Sequence, residues 1–425
     1  MDTREFDLVL VGATGFVGRL ITDHLARSAP PGTKIALAGR SSERLESLRE
    51  GLSGEAATWP LLVIDTLDEA AVGELAARTR VVATTVGPYQ RYGVPLVMAC
   101  ANSGTHYCDL TGEVLFVRRV IDSCHDVAER TGALIVTACG FDSIPSDLSV
   151  WATAEAAKAA GDGELTETTL FVRRLRGGLS GGTIDSARQQ AIDMGTDGEA
   201  KRIVTDPYAL SPDRQAEPRR RPAAGESSAP AGIPGRLAAV SRRLPVTRGS
   251  DGHWTGPFVM AAFNTRIVRR SNALLGWAYG RHFHYREVQD FGTSRSAPAK
   301  ALGTSAALAG VLGGLSFAPT RRLLDDRLPK PGQGPSAEER RRGRFTMEVV
   351  AETTSGATHR TTFGARLDPG YEGTAVMFGE AALCLALDRD RLTDRGGVLT
   401  PATAMAAPLA DRLRAQGFTL ESTRD

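Results

Sequence analysis

The sequence predicts an α/β protein with an N-terminal, doubly wound parallel sheet and a second, α+β domain. Two observations lead to this fold class: apolar runs alternate with helical patterns through residues 6–139, and the alternation ends near residue 150. Alternating strands and helices build parallel sheets whose two faces are covered by helices. At 425 residues the chain is also longer than one hydrophobic core usually supports, which favours two domains.

Six apolar runs predict the strands of the first sheet. Each is a continuous stretch rich in Val, Leu, Ile and Ala, which is typical of strands buried on both faces. Apolar residues at helical spacing, such as Val17, Ile21 and Leu25, lie between the runs. The predicted strands are residues 6–12, 34–39, 61–65, 80–87, 105–110 and 133–140.

Beyond residue 150 the pattern predicts a mixed domain. Residues 151–160 have a helical composition, and 166–177 have the composition of a strand. Residues 344–367 alternate polar and apolar side chains around a Ser-Gly turn, as a β-hairpin does. Pro, Gly, Ser and Arg are abundant in 212–250, which predicts a surface insertion, and 374–388 is an Ala-rich helical stretch.

Charge and cysteine content argue against several classes of protein. The chain has 51 Lys and Arg against 49 Asp and Glu, and this balance does not predict a nucleic-acid partner. Its five cysteines are scattered and form no CxxC pair, so we predict neither a disulfide framework nor a metal site. The charged N-terminus leads straight into a strand, unlike a secretory signal, so we expect a cytoplasmic protein.

One uncharged segment, residues 301–320, is long enough to span a bilayer. It is rich in Gly, Ala and Ser, it has few large apolar residues, and Pro319 closes it. This composition favours a pair of buried helices over a membrane span. Peripheral contact of the segment with a membrane or a lipid stays open as an alternative.

A glycine-rich turn follows the first predicted strand. Gly12, Gly15 and Gly18 have the G-x-x-G-x-x-G spacing of a dinucleotide-binding turn. The first glycine permits the sharp turn, the second lets the backbone approach a pyrophosphate, and the third lets the helix pack on the sheet. Free N–H groups at the start of that helix and its dipole favour the pyrophosphate. The predicted contacts are Gly12, Thr14, Gly15, Phe16, Val17 and Gly18.

The end of the second strand distinguishes NADP(H) from NAD. An NAD site usually has an acidic side chain there for the ribose hydroxyl, whereas an arginine binds a 2′-phosphate. Here the strand ends in Arg40 and Ser41 and no acidic residue closes it, so we predict NADP(H). Further contacts are expected after the third and fourth strands: Asp65 beside the adenine, and Thr85, Val86, Gly87 and Pro88 beside the nicotinamide ribose.

The proton donor is less easily predicted. No tyrosine is followed by a lysine four residues later, which excludes the Tyr-x-x-x-Lys pair of extended short-chain dehydrogenases. Helix capping would explain Ser146 and Asp147, whereas Tyr89 and Asp142 are candidates to supply the proton that a hydride acceptor needs. Both belong to a polar set at the cofactor side of the sheet: Tyr89, Tyr107, Asp109, Glu113, Asp142, Ser143, Ser146 and Asp147.

Motifs along most of the chain point to one family: GATGFVG (12–18), AGRS (38–41), TTVGPYQRYG (84–93), GFDSIPSD (140–147), SGGTIDSA (180–187), PKPGQGPSAEERRRG (329–343), DPGYEGTAVMFGEAAL (368–383) and GGVLTPATAM (396–405). These segments resemble the saccharopine dehydrogenase-like oxidoreductases, and most closely the actinobacterial trans-acting enoyl reductases. The resemblance implies an NADP-binding Rossmann domain (1–148), a substrate and dimerisation domain (149–371), and C-terminal helices (372–425) that return to the first domain. It transfers Gly12, Gly15, Gly18 and Arg40 to cofactor binding and transfers no catalytic residue.

The leading hypothesis, implied by the resemblance, is an NADPH-dependent reductase of a C=C bond in a polyketide or lipid acyl chain carried by a separate synthase. A second hypothesis is a saccharopine-type amino-acid dehydrogenase, whose anionic substrate needs converging arginines. A third is an NADP(H)-binding protein without turnover, and a fourth is a membrane-docked scaffold that rests on 301–320. Candidate arginines for the amino-acid substrate are Arg173, Arg174, Arg176 and Arg266.

Overall fold

The computed structural model describes residues 4–177, 181–217, 246–316 and 334–425. Most of the predicted insertion, residues 218–245, and the end of the uncharged segment, residues 317–320, lie outside the described residues. The described strands are β1 (Phe6–Val11), β2 (Ile35–Gly39), β3 (Leu61–Val63), β4 (Thr79–Thr84), β5 (His106–Asp109), β6 (Leu134–Val136), β7 (Leu165–Arg176), β8 (Thr247–Arg248), β9 (Trp254–Pro257), β10 (His284–Asp290), β11 (Arg344–Thr353), β12 (Thr358–Ala365), β13 (Gly397–Leu399) and β14 (Thr419–Arg424).

The helices alternate with the strands in the first part of the chain and are irregularly placed later. They are α1 (Phe16–Ser28), α2 (Ser42–Glu50), α3 (Glu69–Arg78), α4 (Tyr89–Tyr92), α5 (Val94–Ser103), α6 (Val114–Thr131), α7 (Ile144–Ala159), α8 (Gly181–Thr196), α9 (Gly198–Thr205), α10 (Ala261–Leu274), α11 (Ala297–Ser316), α12 (Ala337–Arg341), α13 (Thr374–Leu387), α14 (Pro401–Ala404) and α15 (Ala406–Ala415). Short 3₁₀ turns lie at Gly54–Thr58 and Arg389–Arg391, and a π-helical turn lies at Pro369–Gly373.

The first sheet is parallel throughout and has the strand order β13-β6-β5-β4-β1-β2-β3. Every residue of β2, β5 and β6 is buried, which explains the continuous apolar runs of β2 and β6. The order reverses between β1 and β4, and open α/β sheets bind ligands at such a switch point, beyond the carboxyl ends of the strands. The predicted fold class is confirmed, and the switch point shows where the site must lie.

The second sheet is mixed and has the order β14-β12-β11-β7-β10-β9-β8. Its β7 and β10 run parallel, whereas the neighbouring pairs β11–β12 and β7–β11 are antiparallel. Helix α7 packs on this sheet and against α10 and α14, and its first seven residues, Ile144–Val150, are all buried. The helix begins at Ile144, with Pro145 in its first turn, so the domain boundary placed at 148 falls inside a continuous helix.

Two features of the second half differ from the sequence-based expectations. The stretch after residue 372 contains strands as well as helices, because β13 pairs with β6 of the first sheet and β14 pairs with β12 of the second. The described part of the uncharged segment is a single helix, α11, with only Ala297, Ala301 and Ser305 buried among its described side chains. This part is therefore not a pair of buried helices. Among the described residues no helix has the length and apolarity needed to cross a bilayer.

Candidate functional site

The phosphate-binding turn joins β1 to α1 and leaves room for no side chain at two of its glycines. Gly12 has φ +85°, and a Cβ atom on it would lie 2.7 Å from Oγ1 of Thr85. A Cβ atom on Gly18 would overlap the carbonyl oxygen of Gly12 and lie 2.9 Å from the carbonyl of Ala13. Helix α1 begins at Phe16 without a side-chain cap, so its first N–H groups are available to a ligand. This open backbone cradle fits a dinucleotide pyrophosphate.

The turn after β4 is bonded directly to the phosphate-binding turn. Thr85 donates its hydroxyl hydrogen bond to the carbonyl of Gly12 (3.1 Å) and its N–H to the carbonyl of Val11 (3.0 Å). Val86 donates its N–H to Oγ1 of Thr84 (3.2 Å). Thr85 and Val86 thus lie beside the cradle at the switch point, and Gly87 and Pro88 follow them directly. Their contact with the nicotinamide ribose stays a prediction.

The end of β2 lies beside the same cradle and is followed by Arg40 and Ser41. A Cβ atom on Gly39 would lie 3.7 Å from Oγ1 of Thr14. The next residue, Arg40, is exposed and makes no ion pair within the described chain, whereas Oγ of Ser41 caps α2 by accepting the N–H of Arg44 (3.3 Å). Asp65 is exposed too, and its carboxylate accepts the N–H of Leu67 (3.0 Å).

The hydroxyl group of Tyr89, one of the two predicted proton donors, is hydrogen-bonded to two backbone groups. The hydroxyl donates to the carbonyl of Thr84 (3.2 Å) and accepts the N–H of Leu110 (3.1 Å). The side chain is buried, and burial together with the neighbouring Asp109 raises the pKa of Tyr89 well above its usual value. This arrangement argues against Tyr89 as the proton donor, because its proton is already committed and is held tightly.

Replacing Tyr89 with phenylalanine is expected to cost stability and to spare turnover. The substitution leaves the carbonyl of Thr84 and the N–H of Leu110 without this partner in a buried place, which costs about 1–3 kcal/mol of unfolding free energy. Chemical denaturation measures the loss, and steady-state kinetics measures kcat at saturating cofactor. A large fall in kcat in a folded Tyr89→Phe protein would return Tyr89 to the catalytic candidates.

Asp142, the other predicted donor, lies in the turn between β6 and α7. Its side chain is half-buried, and Oδ2 lies 3.5 Å from the position that a Cβ atom on Gly112 would occupy, so the carboxyl group faces the end of β5. Burial raises the pKa of Asp142 to about 7, and no described neighbour offsets this with a hydrogen bond or a charge. A carboxyl group that is neutral near pH 7 and unbonded has a proton to donate.

Glu113 connects the turn after β4 to the second half of the chain. One carboxylate oxygen accepts the N–H of Tyr89 (2.9 Å) and the hydroxyl of Ser186 (2.7 Å), and the other accepts the N–H of Gln90 (2.8 Å). The side chain is buried, with 3% exposed. Glu113 therefore caps α4 and docks α8. The sequence indicates Glu113 as part of the polar set but does not indicate these partners.

Asp109 fixes the ends of two strands relative to each other. Its carboxylate accepts the N–H groups of Thr111 and Ala138 and the hydroxyl of Tyr107, each at 3.0 Å. The side chain is fully buried, and burial raises the pKa of Asp109 to about 7. All three hydrogen bonds of Asp109 are to groups of the first sheet and its turns. We therefore infer that Asp109 stabilises the turn after β6, which contains Asp142.

The polar residues at the start of α7 hold elements of the second half in place. Ser143 donates to Oδ1 of Asn264 (3.3 Å), whose amide donates to Ser146 (3.2 Å) and to Glu287 (3.0 Å). Asp147 accepts the N–H of Ala402 at 2.8 Å and the hydroxyl of Ser271. Simple helix capping by Ser146 and Asp147, the sequence-based expectation, is therefore wrong, because both lie inside the first turn of α7 and reach other elements.

A turn from the distant end of the chain, Pro369–Gly373, closes the site, and no motif in the sequence predicts this contact. Tyr371 of the π-helical turn packs edge-on against Phe16, with ring centroids 5.1 Å apart. Three residues later, Thr374 accepts the N–H of Phe141 (3.2 Å). The turn thus lies against both the phosphate-binding turn and the residue before Asp142. Its only sequence signal is the Asp-Pro-Gly-Tyr-Glu-Gly composition, which indicates a turn and says nothing about its partner.

Of the four arginines proposed for an amino-acid substrate, Arg174 and Arg176 are exposed at the end of β7, and the other two are bound to groups outside the cradle. Arg173 is bound to Asp290 (2.8 Å) and Glu348 (2.6 Å) on the second sheet. Arg266 donates to the backbone carbonyls of residues 204 and 206. The described residues around the cradle therefore provide no arginine cluster for a substrate carboxylate.

Comparisons with known proteins agree with this geometry. Residues 8–136 match the family model of the saccharopine dehydrogenase NADP binding domain. The trans-acting enoyl reductases of Mycobacterium tuberculosis (strain H37Rv) and Mycobacterium ulcerans are 47% and 46% identical, each over 99% of this chain and 98% of the relative. The apo saccharopine dehydrogenase (L-Glu forming) of Saccharomyces cerevisiae shares the fold, with TM-score 0.51 and 14% identity over 98% of this chain and 99% of the other.

The family-model match covers the strands that build the cradle. The matches to the mycobacterial relatives extend further, through the turn at Pro369–Gly373 to the last strand. The NADP-binding domain and the oxidoreductase fold predicted from the sequence are confirmed. The chain belongs to the trans-acting enoyl reductase family, within the saccharopine dehydrogenase-like oxidoreductases.

Proposed function

We propose that this protein reduces the C=C bond of an enoyl thioester with NADPH, and that the acyl chain is carried by a separate polyketide synthase. The full-length likeness to trans-acting enoyl reductases carries the proposal. The site supports it with an unpaired carboxyl group, Asp142, at the same sheet edge as the cofactor cradle.

The cofactor fits the residues that the structure brings together. The backbone N–H groups at the start of α1 would hold the pyrophosphate, and the exposed guanidinium of Arg40 would hold the 2′-phosphate. When bound, NADPH supplies a hydride to the β-carbon of the enoyl group. The chain's own task is then to keep water from the reacting atoms and to deliver one proton to the α-carbon.

We propose that Asp142 donates this proton to the α-carbon. Burial raises the pKa of its carboxyl group to about 7, so the group keeps its proton at a much higher pH than an ordinary carboxyl group does. On donating, the group becomes a carboxylate, and the half-buried position lets solvent return the proton. Reduction of one C=C bond thus consumes one hydride and one proton, and the enzyme returns to its starting state.

The 2′-phosphate assignment is tested by replacing Arg40 with alanine. Loss of a charge-assisted hydrogen bond costs about 1.5–3 kcal/mol, so the Kd for NADPH is expected to rise about 10- to 100-fold while the Kd for NADH changes little. Fluorescence titration measures both. The matched control is Arg130→Ala, an exposed arginine in the last turn of α6.

An equal change for NADPH and NADH would contradict the role of Arg40 in cofactor selection. Binding of NADPH without hydride transfer to any enoyl thioester would instead favour a non-catalytic NADP(H)-binding protein. Two of the arginines proposed for the amino-acid dehydrogenase hypothesis are already bound within the described structure: Arg173 to Asp290 and Glu348, and Arg266 to backbone carbonyls. The homodimer and the peripheral lipid contact of 301–320 stay predictions.

A further inference from the structure

One end of the second sheet carries a group of arginines that the proposed reaction does not use. We call Arg174, Arg176, Arg344 and Arg366 the arginine rim. Arg344 lies directly opposite Arg176 in the β7–β11 ladder, and Thr346 lies opposite Arg174. Directly opposed residues of an antiparallel pair have side chains on the same face, so the first three arginines share one face of the sheet. Arg366 follows the last residue of β12, Ala365, which pairs with Phe345 next to Arg344.

The four side chains of the rim are exposed and have no anionic partner among the described residues. Like charges placed directly opposite one another destabilise a sheet pair. The same sheet neutralises another arginine fully, since Arg173 binds both Asp290 and Glu348. The rim is thus a positive patch that no acidic side chain of the described residues neutralises, in a chain whose net charge is only +2.

The rim borders the turn that closes the candidate site. Two rim arginines, Arg344 and Arg176, are each next in sequence to a glycine that packs at the start of this turn. A Cβ atom on Gly343 would lie 2.5 Å from the nitrogen of Asp368, and one on Gly177 would lie 2.7 Å from Cδ of Pro369. Asp368 accepts the N–H of Tyr371 (2.9 Å), and Tyr371 packs on Phe16 of the cradle. A partner bound at the rim therefore lies next to the turn that closes the candidate site.

We propose that the arginine rim docks an acidic protein surface, namely that of the carrier domain that presents the enoyl thioester. This inference rests on the proposed function. A substrate supplied by a separate protein needs a non-covalent encounter, and clustered positive charge accelerates encounter with an acidic partner by about 10–10³-fold. The rim provides that charge beside the turn that closes the candidate site.

The test compares one enoyl group on two supports. Wild type and Arg344→Glu/Arg366→Glu are assayed with the enoyl group on a holo carrier domain of a polyketide synthase and with the same group on free pantetheine. We expect kcat/KM for the carrier-bound substrate to fall about tenfold or more, and to lose its dependence on ionic strength. We expect kcat/KM for the pantetheine substrate to be unchanged, which also shows that the variant is folded. Arg130→Glu is the control for net charge.

Several results would overturn the docking role. One is equal kinetics of wild type and variant on the carrier-bound substrate, and another is an equal loss on both substrates. A third is a change of oligomeric state in light scattering with unaltered carrier binding, which would make the rim a contact between two copies of the chain. If wild type reduces neither substrate, the proposed function fails. Calorimetry with the carrier domain then tests docking alone, and binding equal in wild type and variant contradicts it.

Discussion

Asparagine in place of Asp142 is expected to lower kcat for an enoyl thioester by about 10²–10⁴-fold, the usual range for loss of a general acid. Asparagine keeps the size and polarity of the side chain and removes the acidic proton. The cradle is formed by other residues, so the Kd for NADPH should not change. Single-turnover measurements under saturating NADPH separate the chemical step from product release.

The pH profile provides a second readout of the same role. Burial raises the pKa of Asp142 to about 7, so the proton-donating form predominates below pH 7 and is lost above it. The wild-type kcat is therefore expected to be constant at lower pH and to fall about tenfold per pH unit well above 7. In Asp142→Asn this limb should disappear. A folded variant with wild-type kcat and an unchanged pH profile would exclude Asp142 as the donor.

Alanine at Gly18 is expected to damage cofactor binding and stability together. The added Cβ would meet the backbone carbonyls of Gly12 and Ala13, which cannot move without separating α1 from β1. Overpacking of this kind costs about 1–3 kcal/mol of unfolding free energy. The strain falls on the cradle, so the Kd for NADPH should rise about tenfold or more. Thermal denaturation with and without NADPH measures both effects.

Gly73 provides the matched control for that substitution. It lies within α3, and a Cβ atom on it would have no neighbour within 4 Å. Gly73→Ala is therefore expected to stabilise the protein by about 0.5–1 kcal/mol and to leave cofactor binding unchanged. If Gly18→Ala behaves like Gly73→Ala, close packing of α1 on the first sheet is not what the third glycine provides.

The success of the sequence-based predictions depends on how local each signal is. The cradle was predictable because its residues lie within one strand, one turn and one helix. Buried strands such as β2 were predictable because every residue in them is apolar or glycine. Strand β13 has only three residues, and in β14 only Leu420 is buried, so neither has a recognisable pattern.

The candidate site shows the same dependence on distance along the chain. Asp142 and Tyr89 are equally good donors in sequence, and only their partners distinguish them: backbone groups bind the hydroxyl of Tyr89, whereas the carboxyl group of Asp142 is unbonded among the described residues. The contact of Tyr371 with Phe16 joins residues more than three hundred positions apart. No periodicity or motif spacing encodes such a pairing.

The pairing of β13 with β6 determines when the first sheet, which carries the cofactor cradle, can be completed during synthesis of the chain. That sheet contains residues 397–399, so its last strand is synthesised after the whole second sheet except β14. Until then the edge of β6 is exposed and able to pair wrongly with other chains. A nascent chain halted before residue 397 should consequently need chaperone protection despite having its complete phosphate-binding turn.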